Sequence, residues 1–232
     1  MLARALALTA ALLALTVLIA PGADLPGLIA PYLAAGERGA VGVVVGRAYE
    51  ESRRPGGDVT PYDGVSVLLL PQSPAFDGEL ASIKAGRRDS PDRFVGADPK
   101  VREARVAFER ALLEAGGAVL IRGEMTDARG AFRLPDVPEG SWMLLAWRES
   151  SKRQKAPPIR RSDAVRYPNT PELLGHTTVV YWLVTVEVKS GAEVEVRLHD
   201  RNEWLQAIRE ERRTRDPESR TAPGKQQGAN PR

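Results

Sequence analysis

Two histidines and no cysteine limit the chemistry this 232-residue chain can perform. Without cysteine there is no disulfide, no thiolate metal site, no thiol nucleophile and no acceptor for a lipid anchor. His176 and His199 stand alone, with no second ligand at metal-binding spacing. No G-x-S-x-G motif surrounds a serine, and nucleophilic catalysis needs a nucleophile placed by a base. No catalytic residue, metal ligand or cofactor is therefore expected. What remains is aromatic and cationic. Trp147 and Tyr181 could stack on sugar rings through their faces. Arg148, Lys152, Arg153, Lys155, Arg160, Arg161 and Arg166 concentrate positive charge along one polar segment. Such a segment can hold an anionic surface, lipid headgroups or an envelope polysaccharide, although charge runs are commonly solvated loops. The candidate binding residues are Trp147, Tyr181, Arg153, Arg160 and Arg161.

Short strands and tight turns must position these side chains. Residues 40–49, 64–71, 119–125, 131–134, 142–147, 177–188 and 192–198 read as seven strands, rich in Val, Leu and aromatics. Val194, Val196 and Leu198 alternate with Glu193, Glu195 and Arg197, so one face is dry and the other wet. Turns are marked at Asp127-Ala128-Arg129-Gly130, Pro138-Glu139-Gly140 and Lys189-Ser190-Gly191, the last a hairpin with glycine where positive φ is wanted. Strands this short with turns this frequent predict a mainly β, seven-stranded antiparallel Greek-key sandwich over residues 40–200. If Trp142, Leu144 and Ala146 face its core, then Met143, Leu145 and Trp147 point outward. Tyr181 and Trp182 raise the same problem, so something must cover the outer apolar face.

Two inserts interrupt the strands, at 72–117 and 149–175. The first contains a helix, with Asp98 as N-cap, Pro99 at its first position and Val101, Ala104, Phe108, Ala111, Leu112 and Ala115 in one stripe. That stripe is the natural cover for the outer face. Residues 201–213 read as a short amphipathic C-terminal helix, and 214–232 as a disordered tail. At the other end, Met1–Arg4 and the apolar run Ala5–Ala20 predict a signal segment over 1–23, either cleaved or kept as an anchor. Residues 24–39, broken by Pro26, Gly27 and Pro31, are expected to be a linker. The expected location is therefore the periplasm or surface of a bacterium, with membrane contact only if the N-terminal segment is retained. A net charge of +3 is too small to imply nucleic acid, and the aromatic interleaving that grips single strands is missing.

The stretches "VGVVVGRAYEE", "GVSVLLLP", "TDARGAFRLPDVPEGSWMLLAW" and "VEVKSGAEVEVRLHD" together resemble the carboxypeptidase regulatory-like domain. The resemblance runs over roughly residues 40–71 and 117–200. It implies an Ig-like, prealbumin-like (transthyretin-like) sandwich and a non-catalytic module that contacts protein or carbohydrate in exported proteins. The alternative is a divergent transthyretin-like hydrolase or another sandwich enzyme. Against the first stand the lack of a histidine in the first strand and of a Tyr-Arg-Gly-Ser-like end. Intradiol dioxygenases bind iron through two Tyr and two His. Tyr167, Tyr181, His176 and His199 supply the types, but the His-x-His pair is absent.

Overall fold

Alternation of buried and exposed side chains builds two sheets in the computed structural model, which describes residues 25–52, 54, 57–153 and 172–213. The expected signal segment and tail, with Arg160 and Arg161, lie outside the described residues. One sheet places β1 (Val41–Glu50) between β8 (Glu193–His199) on one flank and β5 (Ala131–Pro138) and β2 (Thr60–Pro61) on the other. The second runs in the order β4 (Arg122–Met125), β3 (Ser66–Pro71), β6 (Gly140–Arg153), β7 (Glu172–Val188) and β9 (Leu205–Arg213). Consecutive strands change sheet repeatedly, so the chain makes a Greek-key-like β-sandwich. All seven expected strands are present, and β2 and β9 are additional. One pairing departs from the antiparallel expectation: β8 runs parallel to β1, Val43 opposite Glu193 through Tyr49 opposite His199.

The sheets meet through Val44, Ala48, Val67, Leu69, Phe132, Leu134, Trp142, Leu144, Trp182, Val186, Val196 and Leu198, all buried. Gly46 is required here. A Cβ on it would fall 2.3 Å from the Phe132 ring, so only glycine lets that ring cross β1. The Asp127 turn is held by its own side chain. Oδ1 accepts from the N–H groups of Arg129 and Ala131, each at 2.8 Å, and Gly130 takes φ +73°. Those two backbone bonds hold the Asp127 carboxyl below its ordinary range.

Four expectations are corrected. Residues 24–39 are not a linker: α1 (Leu25–Glu37) is a helix despite Pro31. Burial of Leu25, Ile29, Tyr32 and Ala35 against one end of the sandwich outweighs the bond that proline removes, a loss of about 3 kcal/mol. The Tyr32 ring meets Trp142 edge-on at 5.0 Å and its hydroxyl donates to the Ser141 carbonyl. The first insert holds three helices: α2 (Pro74–Gly86), capped by Ser73, α3 (Pro91–Val95) and α4 (Ala97–Glu114). Residues 201–213 are not a helix either. A 3₁₀ turn, Asp200–Asn202, leads into β9, whose buried Leu205 and Ala207 pair with Tyr181 and Val179. Pairing with the edge of β7 satisfies backbone groups and buries two side chains, which a short isolated helix cannot match. The second insert also begins later and ends earlier than expected, because β6 continues to Arg153 and β7 starts at Glu172.

Candidate functional site

Strand periodicity sends Met143, Leu145 and Trp147 to the outer face of the larger sheet, and Tyr181 sits opposite Trp147 in register. Helices α2 and α4 cover this face. Val101, Ala104, Phe108 and Leu112 of α4 are buried, and Phe108 stacks on Phe76 of α2 at 4.6 Å. The first turn of α4 carries a carboxylate beneath this cover. Asp98 is 0% exposed; it accepts from the Tyr181 hydroxyl at 2.7 Å and from Arg209 Nε at 2.9 Å. Arg209, reaching from β9, also holds Glu149 of β6 at 3.1 Å. One chain of charge-assisted bonds thus ties α4 to three strands. Such a buried carboxylate is tolerable only because each partner is in place, and the positive end of α4 favours its charge. Burial and the Asp98 bond raise the Tyr181 pKa, so the phenol stays a neutral donor. The bond to Asp98 raises that of Arg209.

Beside this clamp lies a cavity of about 200 Å³ lined by Val101, Arg102, Arg105, Trp147, Glu149 and Tyr181. The Arg105 guanidinium lies 4.6 Å from the centroid of the half-buried Trp147 ring, a cation–π contact. Its Nε is buried with no hydrogen-bond partner; the Glu109 carboxylate is 3.6 Å away. The cavity therefore offers guanidinium donors, the Glu149 carboxylate as acceptor and an indole wall. These are the elements that orient a small polar ligand in a concave site.

The structure brings Trp147 and Tyr181 together, though Tyr181 is only 2% exposed and its hydroxyl is bonded to Asp98. Arg153 ends β6 opposite Gly175, six residues and roughly 20 Å along the strand from Trp147. Asp98, Arg102, Arg105, Glu149 and Arg209 were not foreseen as neighbours. The only signal was the Asp98-Pro99 pair, which reads as a helix cap. The helix starts two residues earlier, with Gly96 as N-cap, because the carboxylate is taken by Tyr181 and Arg209. His176 lies within β7, and His199 ends β8. His199 Nδ1 accepts from the Arg201 N–H at 3.3 Å and lies 3.4 Å from Glu51, and its ring stacks on Tyr49 at 5.7 Å. These contacts fasten the end of β8. Among the described residues no group of three or more His, Asp or Glu side chains could hold a metal, and no helix is long and apolar enough to cross a membrane.

Strand pairing and site together define a two-sheet β-sandwich with a helical layer clamped over one face. No protein-family model matches the chain, and no curated protein is significantly similar to it. Among solved structures it is similar to a candidate carbohydrate-binding protein of Pseudomonas aeruginosa. That pair is 20% identical over 72% of this chain and 94% of the other, with a TM-score of 0.36. A pilus backbone protein of Streptococcus pneumoniae is 9% identical over 66% of this chain and 40% of its own, TM-score 0.24. A minor pilin of Streptococcus agalactiae is 12% identical over 68% of this chain and 94% of its own, TM-score 0.27. Overlaps this partial leave the fold resting on the strand pairing itself.

Proposed function

We propose that this chain is an exported, non-catalytic sandwich module of the carboxypeptidase regulatory-like kind. It contacts carbohydrate or protein in a bacterial cell envelope through the mouth at Trp147. The observation that carries this reading is the pairing of the Trp147 indole and Arg105 with Glu149 around one small cavity. A sugar presents apolar C–H groups and hydroxyls side by side. An indole answers the first, and a guanidinium and a carboxylate answer the second. Arg102 and Arg105 donate to hydroxyl oxygens and Glu149 accepts from a hydroxyl. The basic run that includes Arg153, Arg160 and Arg161 adds attraction for acidic envelope polymers. Export rests on the basic start and apolar run of residues 1–23. The test is retention of envelope polysaccharides and a glycan array by the domain and by Trp147→Ala and Glu149→Gln. Selective retention lost in both variants, with unchanged circular dichroism, is expected. Retention of nothing, or equal retention by all three proteins, would overturn the reading.

A further inference from the structure

A second recess lies elsewhere in the helical layer, between α2, α3 and α4. It encloses about 490 Å³ and is lined by Ser82, Gly86, Arg87, Asp89, Arg93 and Lys100, among others. Three cationic side chains and one carboxylate therefore face a common space. Each cation stands differently. Arg87 is fixed: its Nη1 donates to the Gln206 carbonyl of β9 at 2.9 Å, while its Nε is buried and has no acceptor. Arg93 pairs with Asp89, four residues earlier in the bend that precedes α3. The Lys100 ammonium has no hydrogen-bond or ion-pair partner among the described residues, while its backbone N–H bonds the Gly96 carbonyl. The backbone adds to the charge. Ala97, the first residue of the 18-residue α4, also lines the recess, and its N-cap, Gly96, has no side chain to satisfy the helix end. An anchored guanidinium with a buried, unanswered N–H beside an ammonium that has no partner among the described residues is an arrangement suited to an anion.

We propose that this recess binds a phosphate-type oxyanion, either free or borne on a sugar. Arg87 supplies the anchored fork through Nε, Lys100 a mobile point charge, and Arg93 a second fork shared with Asp89. The Asp89 carboxylate is the built-in competitor, holding Arg93 when the anion is away. The site is separate from the Trp147 mouth and does not depend on it.

The experiment is isothermal titration of the full chain, at low ionic strength, with inorganic phosphate and with glucose 6-phosphate. Sodium chloride of matched ionic strength is the control. Saturable binding of one anion per chain is expected. Lys100→Ala combined with Arg93→Ala should weaken it about tenfold or more, the loss that follows from charge-assisted bonds. Trp147→Ala should leave it unchanged. Asp89→Asn should strengthen it several-fold, a gain that damage to the fold would not produce. Tighter binding of glucose 6-phosphate assigns a sugar-borne anion, and equal binding assigns the oxyanion alone; both support the site. Heat that never saturates, equal displacement by chloride, or indifference to both the Lys100/Arg93 and Asp89 changes would overturn it.

Discussion

The two faces of β6 and β7 are made by the same alternation, yet they are stabilised differently. Toward the smaller sheet stand Trp142, Leu144, Ala146, Trp182 and Val186. Their polar demand is met by two indole N–H groups, bonded to the carbonyls of Pro138 and His199. Toward the helices the same strands present Trp147 and Tyr181, and a buried carboxylate from α4 joins them to Arg209 and Glu149. The first interface is built from fully or nearly fully buried apolar side chains. The second joins helices to a sheet, needs polar anchors to hold them, and leaves recesses beside those anchors. Both candidate binding features belong to that layer, which suits a scaffold whose rigid part and contact part are separate.

Substitutions on each face should sharpen this contrast. The largest effect is expected inside: Trp182→Ala empties a fully buried site and should cost about 3–5 kcal/mol in urea unfolding. Next comes Asp98→Ala, which leaves the Tyr181 hydroxyl without its partner and removes one of the two carboxylates that hold Arg209. About 3 kcal/mol is expected, the low end for breaking a buried pair, because Arg209 is 30% exposed and keeps Glu149. Tyr181→Phe should cost about 1–2 kcal/mol, with a signature in pH. The folded Tyr181 holds its proton more tightly than the ordinary value of 10.0, so its contribution is full below about pH 10 and declines as pH rises beyond it. Wild type should therefore lose stability more steeply above pH 10 than Tyr181→Phe does. If the two curves fall in parallel, the hydroxyl is not the anchor. The smallest effect belongs to Asp127→Ala at the exposed turn. It should lower the Tm slightly near neutral pH and progressively less in acid: the folded carboxyl titrates below the ordinary 3.8, so its contribution is full above about pH 3.8 and is lost as pH falls below that.

The inner face was the legible one. Alternation in Val194–Leu198 and the Asp127 and Gly191 turns announced strands that the structure contains, and the stripe from Val101 to Leu112 announced the helix and its need for a partner. What escaped were features decided by contact rather than by pattern. Trp204, Leu205 and Ile208 fit a helical spacing, but the open edge of β7 drew the segment into β9. Asp98-Pro99 looked like a cap and proved to be an anchor, because its partners, Tyr181 and Arg209, are 83 and 111 residues away. Ser73-Pro74 is a legible start for α2, but the residues after it show only a weak apolar stripe, Phe76 and Leu80. The cavity at Trp147 shows two of its candidate members in the sequence, Trp147 and Tyr181; Arg105 and Glu149 reach it only through the fold.

Amide hydrogen exchange on the wild type and Asp98→Ala tests most directly whether the helical layer is a separately anchored cover on a self-sufficient sandwich. The account predicts that α2 and α4 lose protection together in the variant while β1, β5 and β8 keep theirs. Protection lost evenly across helices and both sheets, or retained throughout α4, would contradict it.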